Sequence, residues 1–138
     1  MTEVVVSKQI NVASSKAWEK LASFRGIEEF SPIERSETKG YGKGATRTCY
    51  MPDGAAIHEV LSEVDASAQE FQYKITDGPF PITDYLSTVK VSSTGKDTCK
   101  VTWGCEFNVV PEAKSEMVQL FEGFYNIIID NLENLINE

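Results

Sequence analysis

Apolar and polar positions follow two different periods along the chain. "EVVVSKQINV" (3–12) is rich in β-branched residues and alternates near its end, which predicts a strand. "KAWEKLASF" then has helical spacing, with Ser14 and Ser15 placed to cap it and Gly26 to stop it. "IEEF" allows one more helical turn before Pro32. Period-two patterning returns for four or five strands. Their turns are signalled by Gly40, Gly42 and Gly44, by "PDG" (52–54), "DASAQ" (65–69), "DGPFP" (77–81) and "STGKD" (93–97). Beyond Pro111 the period becomes 3.6. Met117, Phe121, Phe124, Ile128, Leu132 and Leu135 recur three and four apart, which predicts a long amphipathic helix running to the C-terminus. A strand, two short helices, a run of antiparallel strands and one long helix make an α+β pattern, with the helix laid on a sheet.

Strand parity sorts the polar residues between the two faces. In "VTWGCEFNV", Val101, Trp103, Cys105 and Phe107 share the apolar, inner face. Val89 and Val91 carry Tyr85 and Ser87 inward, and Phe71 and Ile75 carry Tyr73. If Ile57 and Leu61 face inward, so does Glu59, and His58 faces water. Cys49 and Met51 take Arg47 inward. A face that should bury thus holds Arg47, Glu59, Tyr73, Tyr85 and Ser87. An unpaired buried charge costs several kcal/mol, so these groups either pair or line a cavity. One reading is a structural Arg47–Glu59 ion pair with tyrosine hydroxyls completing the hydrogen bonds. The other is a partly wet, mostly aromatic pocket of roughly 300–1,000 Å³ with a few convergent polar groups. Trp103, Phe121, Phe124 and Ile128 would help to line it, with the last helix as its lid.

The glycine run "GYGKGATR" (40–47) resembles a phosphate loop, but it leads into the strand "ATRTCYM" and not into a helix. No helix N-terminus is available there for a phosphate. It is expected instead as a hairpin near a cavity mouth, together with "MPDGA" (51–55) and "GPFPI" (78–82). The 138 residues predict one domain, spanning 1–138, and a 41% hydrophobic content suffices for one core. The net charge of −8, from 13 basic and 21 acidic residues, argues against nucleic acid and against an anionic membrane surface. Cys49, Cys99 and Cys105 are odd in number and lack metal-ligand spacing, so no disulfide framework or metal site is expected. The single histidine, His58, gives little support to a catalytic triad. Reduced thiols, and the lack of an apolar run of signal or membrane-span length, predict a cytoplasmic protein that does not insert into membranes.

In order and spacing, "SSKAWEKLASFRGIEEFSP", "GYGKGATR", "DGAAIHEVLSEVD", "YKITDGPFPITDYLSTVKV" and "VTWGCEFNVVPE" resemble the START-like (SRPBCC) superfamily over nearly the whole chain. That superfamily includes the birch-pollen-allergen fold and the polyketide cyclase/dehydrase group. The resemblance implies a helix-grip fold, in which a curved seven-stranded antiparallel sheet wraps around a long C-terminal helix and encloses a cavity. Similarity to the lachrymatory-factor synthase branch implies catalytic roles for Arg47 and Glu59 and a pocket role for Tyr85. Similarity to the abscisic acid receptor branch implies ligand contacts at Glu59, Tyr85 and Ser87. The receptors' gate loop is replaced by "MPDGA", their latch by "GPFPI", and their carboxylate-binding lysine by Ser31. These departures argue against that particular ligand.

Three functions share this pocket. A carrier would bind a hydrophobic or amphipathic small molecule on Arg47, Glu59, Tyr73, Tyr85, Ser87, Trp103, Cys105, Phe121, Phe124 and Ile128. A cofactor-free cyclase, dehydratase or isomerase would use Glu59 to move a proton, Arg47 to hold an oxyanion and Tyr85 to orient substrate. A ligand-gated receptor would close its loops and bind a protein partner. None of the three calls for a cofactor or a metal.

Overall fold

The computed structural model describes residues 1–138. In chain order it contains β1 (Thr2–Ile10), α1 (Ser14–Ala22), a single 3₁₀ turn (Ile27–Glu29), β2 (Arg35–Lys39), β3 (Thr46–Tyr50), β4 (Ala56–Asp65), β5 (Glu70–Asp77), β6 (Ile82–Gly95), β7 (Thr98–Val109) and α2 (Pro111–Ile136). Six strands follow the short helices, against the four or five expected from the turn signals. The five turn signals, with the glycine run dividing the first two strands, separate all six, and the first of them, β2, "RSETK", is a short polar strand at the sheet edge.

The strands form one antiparallel sheet in the order β1-β7-β6-β5-β4-β3-β2. β1 and β2 are consecutive in the chain yet lie at opposite edges. The segment carrying α1 and the 3₁₀ turn crosses between them. The sheet is curved and grips α2, which packs on β1 and β7. Gly104 of β7 lets β1 approach closely, because a Cβ there would lie 3.0 Å from the Val4 carbonyl oxygen. At its far end α2 is tied to β1 and the turn after it. Lys8 bridges to Asp130 at 2.9 Å, and the Asn137 amide donates to the Asn11 carbonyl at 3.0 Å.

Two local expectations change. α1 begins from Ala13, which offers no side-chain cap, and Ser14 and Ser15 lie inside its first turn. The backbone N–H groups of Lys16 and Ala17 bond to the Ala13 carbonyl instead. On α2 the buried stripe is Met117, Phe121, Tyr125, Ile128, Ile129 and Leu132. Phe124 and Leu135 are half-buried at its margin. Apolar counting passes over Tyr125, whose ring is buried while its hydroxyl finds a partner on the sheet. No helix is long and apolar enough to cross a membrane.

Candidate functional site

β3 and β4 pair in a register that sets Arg47 directly opposite Glu59. Both side chains point into the concave side, 5% and 8% exposed. Arg47 Nε donates to Glu59 Oε1 at 2.7 Å, and a second guanidinium nitrogen lies 2.6 Å from the same oxygen. Oε2 is therefore the carboxylate oxygen left for other partners. The guanidinium also stacks over Phe24, 3.8 Å from the ring centroid. Phe24 holds a left-handed backbone conformation (φ 60°) with its carbonyl accepting from Thr38. Burial raises the Glu59 carboxyl above its ordinary range, and the charge and hydrogen bond of Arg47 offset this only in part. Burial opposes the Arg47 charge too, but Glu59 and neighbouring groups hold that guanidinium firmly protonated.

Around the pair lies an aromatic layer with its polar tips satisfied internally. Trp103 Nε1 donates to the Tyr73 hydroxyl at 3.1 Å, and the Tyr85 and Tyr125 hydroxyls bond to each other. Ser87 donates to the Gly104 carbonyl at 2.8 Å. No buried side-chain nitrogen or oxygen lacks a partner. Burial pushes the Tyr73, Tyr85 and Tyr125 phenols upward, and it drives the Cys49 thiol to about 12 and the Cys105 thiol to about 11. All three cysteines are free and buried. No group of three or more His, Cys, Asp or Glu side chains is arranged to hold a metal ion.

A cavity sits between α2 and the sheet, and thirteen of its fourteen lining residues are hydrophobic. Glu59 is the exception. The void is about 50 Å³, far below the predicted range. Aromatic rings fill the missing space. Phe80 packs edge-on against Phe121 at 5.5 Å, Tyr85 lies 5.3 Å from Phe121, and Tyr73 lies 6.1 Å from Tyr85. Of the residues singled out from the sequence, Glu59, Tyr73, Tyr85, Phe121 and Phe124 line this cavity. Arg47, Ser87, Trp103, Cys105 and Ile128 do not line it. Arg47 holds Glu59, Trp103 holds Tyr73, and Ser87 and Ile128 are fully buried. Cys105 borders a separate shallow recess on the sheet beside Glu3 and Val5.

Cys49, Phe80 and Leu120 are cavity residues that the sequence did not mark as such, whereas Tyr125 was expected in the lid of the cavity and lines it. Cys49 was legible as inward-facing by parity, and Tyr125 sits four residues after Phe121. Nothing in the sequence sends Phe80 inward from its loop. The "MPDGA" and "GPFPI" loops converge on the cavity through Met51 and Phe80. The glycine loop does not. It joins β2 and β3 at the opposite end of β3 from residues 51–55. Arg25 pins it by donating to the Gly40 carbonyl at 2.7 Å and stacking on Tyr41.

A second, larger concavity of about 610 Å³ opens where β5 and β6 part. Their pairing ends at Lys74–Leu86, and β6 slips register against β7 between Thr83 and Leu86. Ile75, Phe80 and Tyr85 line both this slot and the interior cavity.

This architecture recurs in known proteins. A protein named XoxI from Bacillus cereus is 28% identical and superposes with a TM-score of 0.88, covering 98% of this chain and 95% of its own. An uncharacterized protein from Bacillus thuringiensis is 27% identical with a TM-score of 0.88, covering 99% and 100%. Norcoclaurine synthase from Thalictrum flavum, in complex with dopamine and hydroxybenzaldehyde, shares the fold at 19% identity and a TM-score of 0.78, covering 98% and 86%. Comparison with curated proteins gives no match. The family model described as polyketide cyclase / dehydrase and lipid transport matches residues 1–137, and the chain belongs to that family.

Proposed function

We propose that this chain binds a hydrophobic or amphipathic small molecule between its sheet and α2, as a carrier or binding protein. The observation that carries the reading is the cavity wall, apolar except for one buried carboxylate. Binding requires the cavity to grow. The side chains that can yield are Met51, Phe80 and Phe124, which are half-buried, and the exposed Leu120. Native mass spectrometry of the purified protein tests the reading. A retained small molecule, or uptake of an added apolar probe with loss of tyrosine and tryptophan fluorescence, is the expected result. A protein that takes up no apolar probe under any condition overturns it.

Glu59 favours a second reading, acid–base catalysis without a cofactor. Its carboxyl borders the cavity and has its pKa raised by burial, and Arg47 contacts only one of its oxygens. In that reading Glu59 exchanges a proton with the bound molecule, Arg47 acts from behind the cavity wall by holding the Glu59 carboxylate in place, and Tyr85 orients the substrate. Glu59→Gln separates the two. A carrier keeps its affinity, whereas an enzyme keeps binding but loses about 10²–10⁴ in turnover.

A further inference from the structure

We infer that the slot between β5 and β6 is the outer half of the ligand site, and that it takes the cationic head of an elongated amphipathic molecule whose tail enters the interior cavity past Phe80. This rests on the interior being a ligand site. The β5–β6 ladder stops at Lys74–Leu86, so residues 75–77 and 82–85 face each other across a gap in mid-sheet without pairing. A neighbouring pair of antiparallel strands would ordinarily close that gap. It is held open from the β6 side. The register slip against β7 brackets Asp84, whose φ of 55° is unusual for a residue with a side chain. The Asn108 amide fixes that conformation by donating to Asp84 Oδ2 at 3.0 Å.

The slot and the cavity touch because Ile75, Phe80 and Tyr85 line both. Phe80 is half-buried in the four-residue loop 78–81 and stands, with Ile75 and Tyr85, between the two spaces. The interior, about 50 Å³, holds only a few atoms, whereas the slot of about 610 Å³ holds a polar group with its water. Asp77, Asp84 and Glu106 contribute three carboxylates to the slot, against two cationic groups in the same lining, the Lys74 ammonium and the Met1 amine. The chain as a whole carries −8. An ammonium group is therefore favoured over a carboxylate or phosphate at this end. The arrangement sorts a ligand by its two ends, with the apolar body inside and the charge outside.

The test uses three probes with the same tail, namely octylammonium, octanol and octanoate, titrated by calorimetry at pH 7. Octylammonium should bind about ten-fold or more tighter than octanoate, with octanol between them. Asp84→Asn and Glu106→Gln should each loosen octylammonium by about two- to five-fold, as expected for a partly solvated charge pair, and leave octanol unchanged. Asn accepts the left-handed backbone at position 84, so this variant keeps the slot's shape. Equal affinity for all three heads, or an ammonium preference that survives both substitutions, overturns the slot while octanol binding keeps the interior reading standing. Failure of all three probes to bind overturns both.

Discussion

Arg47 and Glu59 illustrate how a residue's chemistry here depends on what is buried beside it. Removing Arg47 leaves a carboxylate in an apolar wall, and loss of one partner of a buried pair typically costs about 3–5 kcal/mol. Arg47→Leu should therefore lower stability by that order in urea melts, and Arg47→Leu/Glu59→Leu should recover most of it. Glu59→Gln differs, because the amide oxygen can still accept from Arg47 and burial already raises the pKa of the carboxyl it replaces. A carboxyl whose folded pKa lies above its unfolded value binds more protons in the folded state. Its stabilising contribution is full below the unfolded value and is lost as pH rises through the folded one. Glu59→Gln should thus gain stability relative to wild type as pH rises above the ordinary Glu value of about 4.3. A pH series of paired melts checks this, and a difference that runs the other way refutes the assignment. The thiols give an independent probe. With Cys49 held near 12 and Cys105 near 11, neither is a thiolate at pH 8, so a thiol reagent should react far more slowly with the native than with the urea-unfolded chain.

At the scale of elements, α2 serves two purposes along one helix. Ile128, Ile129 and Leu132 are fully buried against the sheet, so Ile128→Ala should cost about 2–5 kcal/mol. Phe124, one turn earlier and half-buried beside the cavity, should cost less when truncated and should increase uptake of an apolar probe by enlarging the void. Chemical denaturation with and without probe distinguishes the two. If both substitutions destabilise equally and neither changes uptake, the division of α2 into core and cavity wall is wrong. The β1–β7 contact at Gly104 is a backbone matter. A methyl group there meets the Val4 carbonyl oxygen at 3.0 Å, so Gly104→Ala must push β1 away.

Over the whole molecule, the sheet and α2 form the grip, and the loops at 51–55 and 78–81 bring Met51 and Phe80 to the cavity wall opposite Leu120 and Phe124 of α2. A ligand that binds only the folded chain stabilises it, by about 2.7 kcal/mol at a hundred-fold excess over its Kd. Hydrogen exchange should then slow at these two loops and along β5–β6, and stay unchanged at the 40–44 loop at the other end of β3. Protection that appears at residues 40–44 instead would move the mouth of the site to that end.

Local pattern was enough for the element order, for five of the turns, and for the buried face of β3, β5, β6 and β7, with β4 conditional on Ile57 and Leu61, because alternation and helical period are properties of neighbouring residues. Parity alone sent Arg47, Glu59, Tyr73, Tyr85 and Ser87 to the concave side, and all five are buried there. Local pattern placed a strand before the glycine turn but could not show that β2 lies at the sheet edge, which depends on strand order. Nor could it show that α1 starts without a serine cap, because the helix begins one residue earlier than the serines imply, from Ala13, and Ser14 and Ser15 fall inside its first turn. Tertiary structure alone decided the size of the cavity, which depends on how Tyr73, Tyr85, Phe80, Phe121 and Tyr125 stack on one another from four separate elements of the chain. It also decided the position of the glycine loop and the gap between β5 and β6. Both follow from strand pairing between residues distant in sequence, whose register is fixed only when the sheet closes around α2.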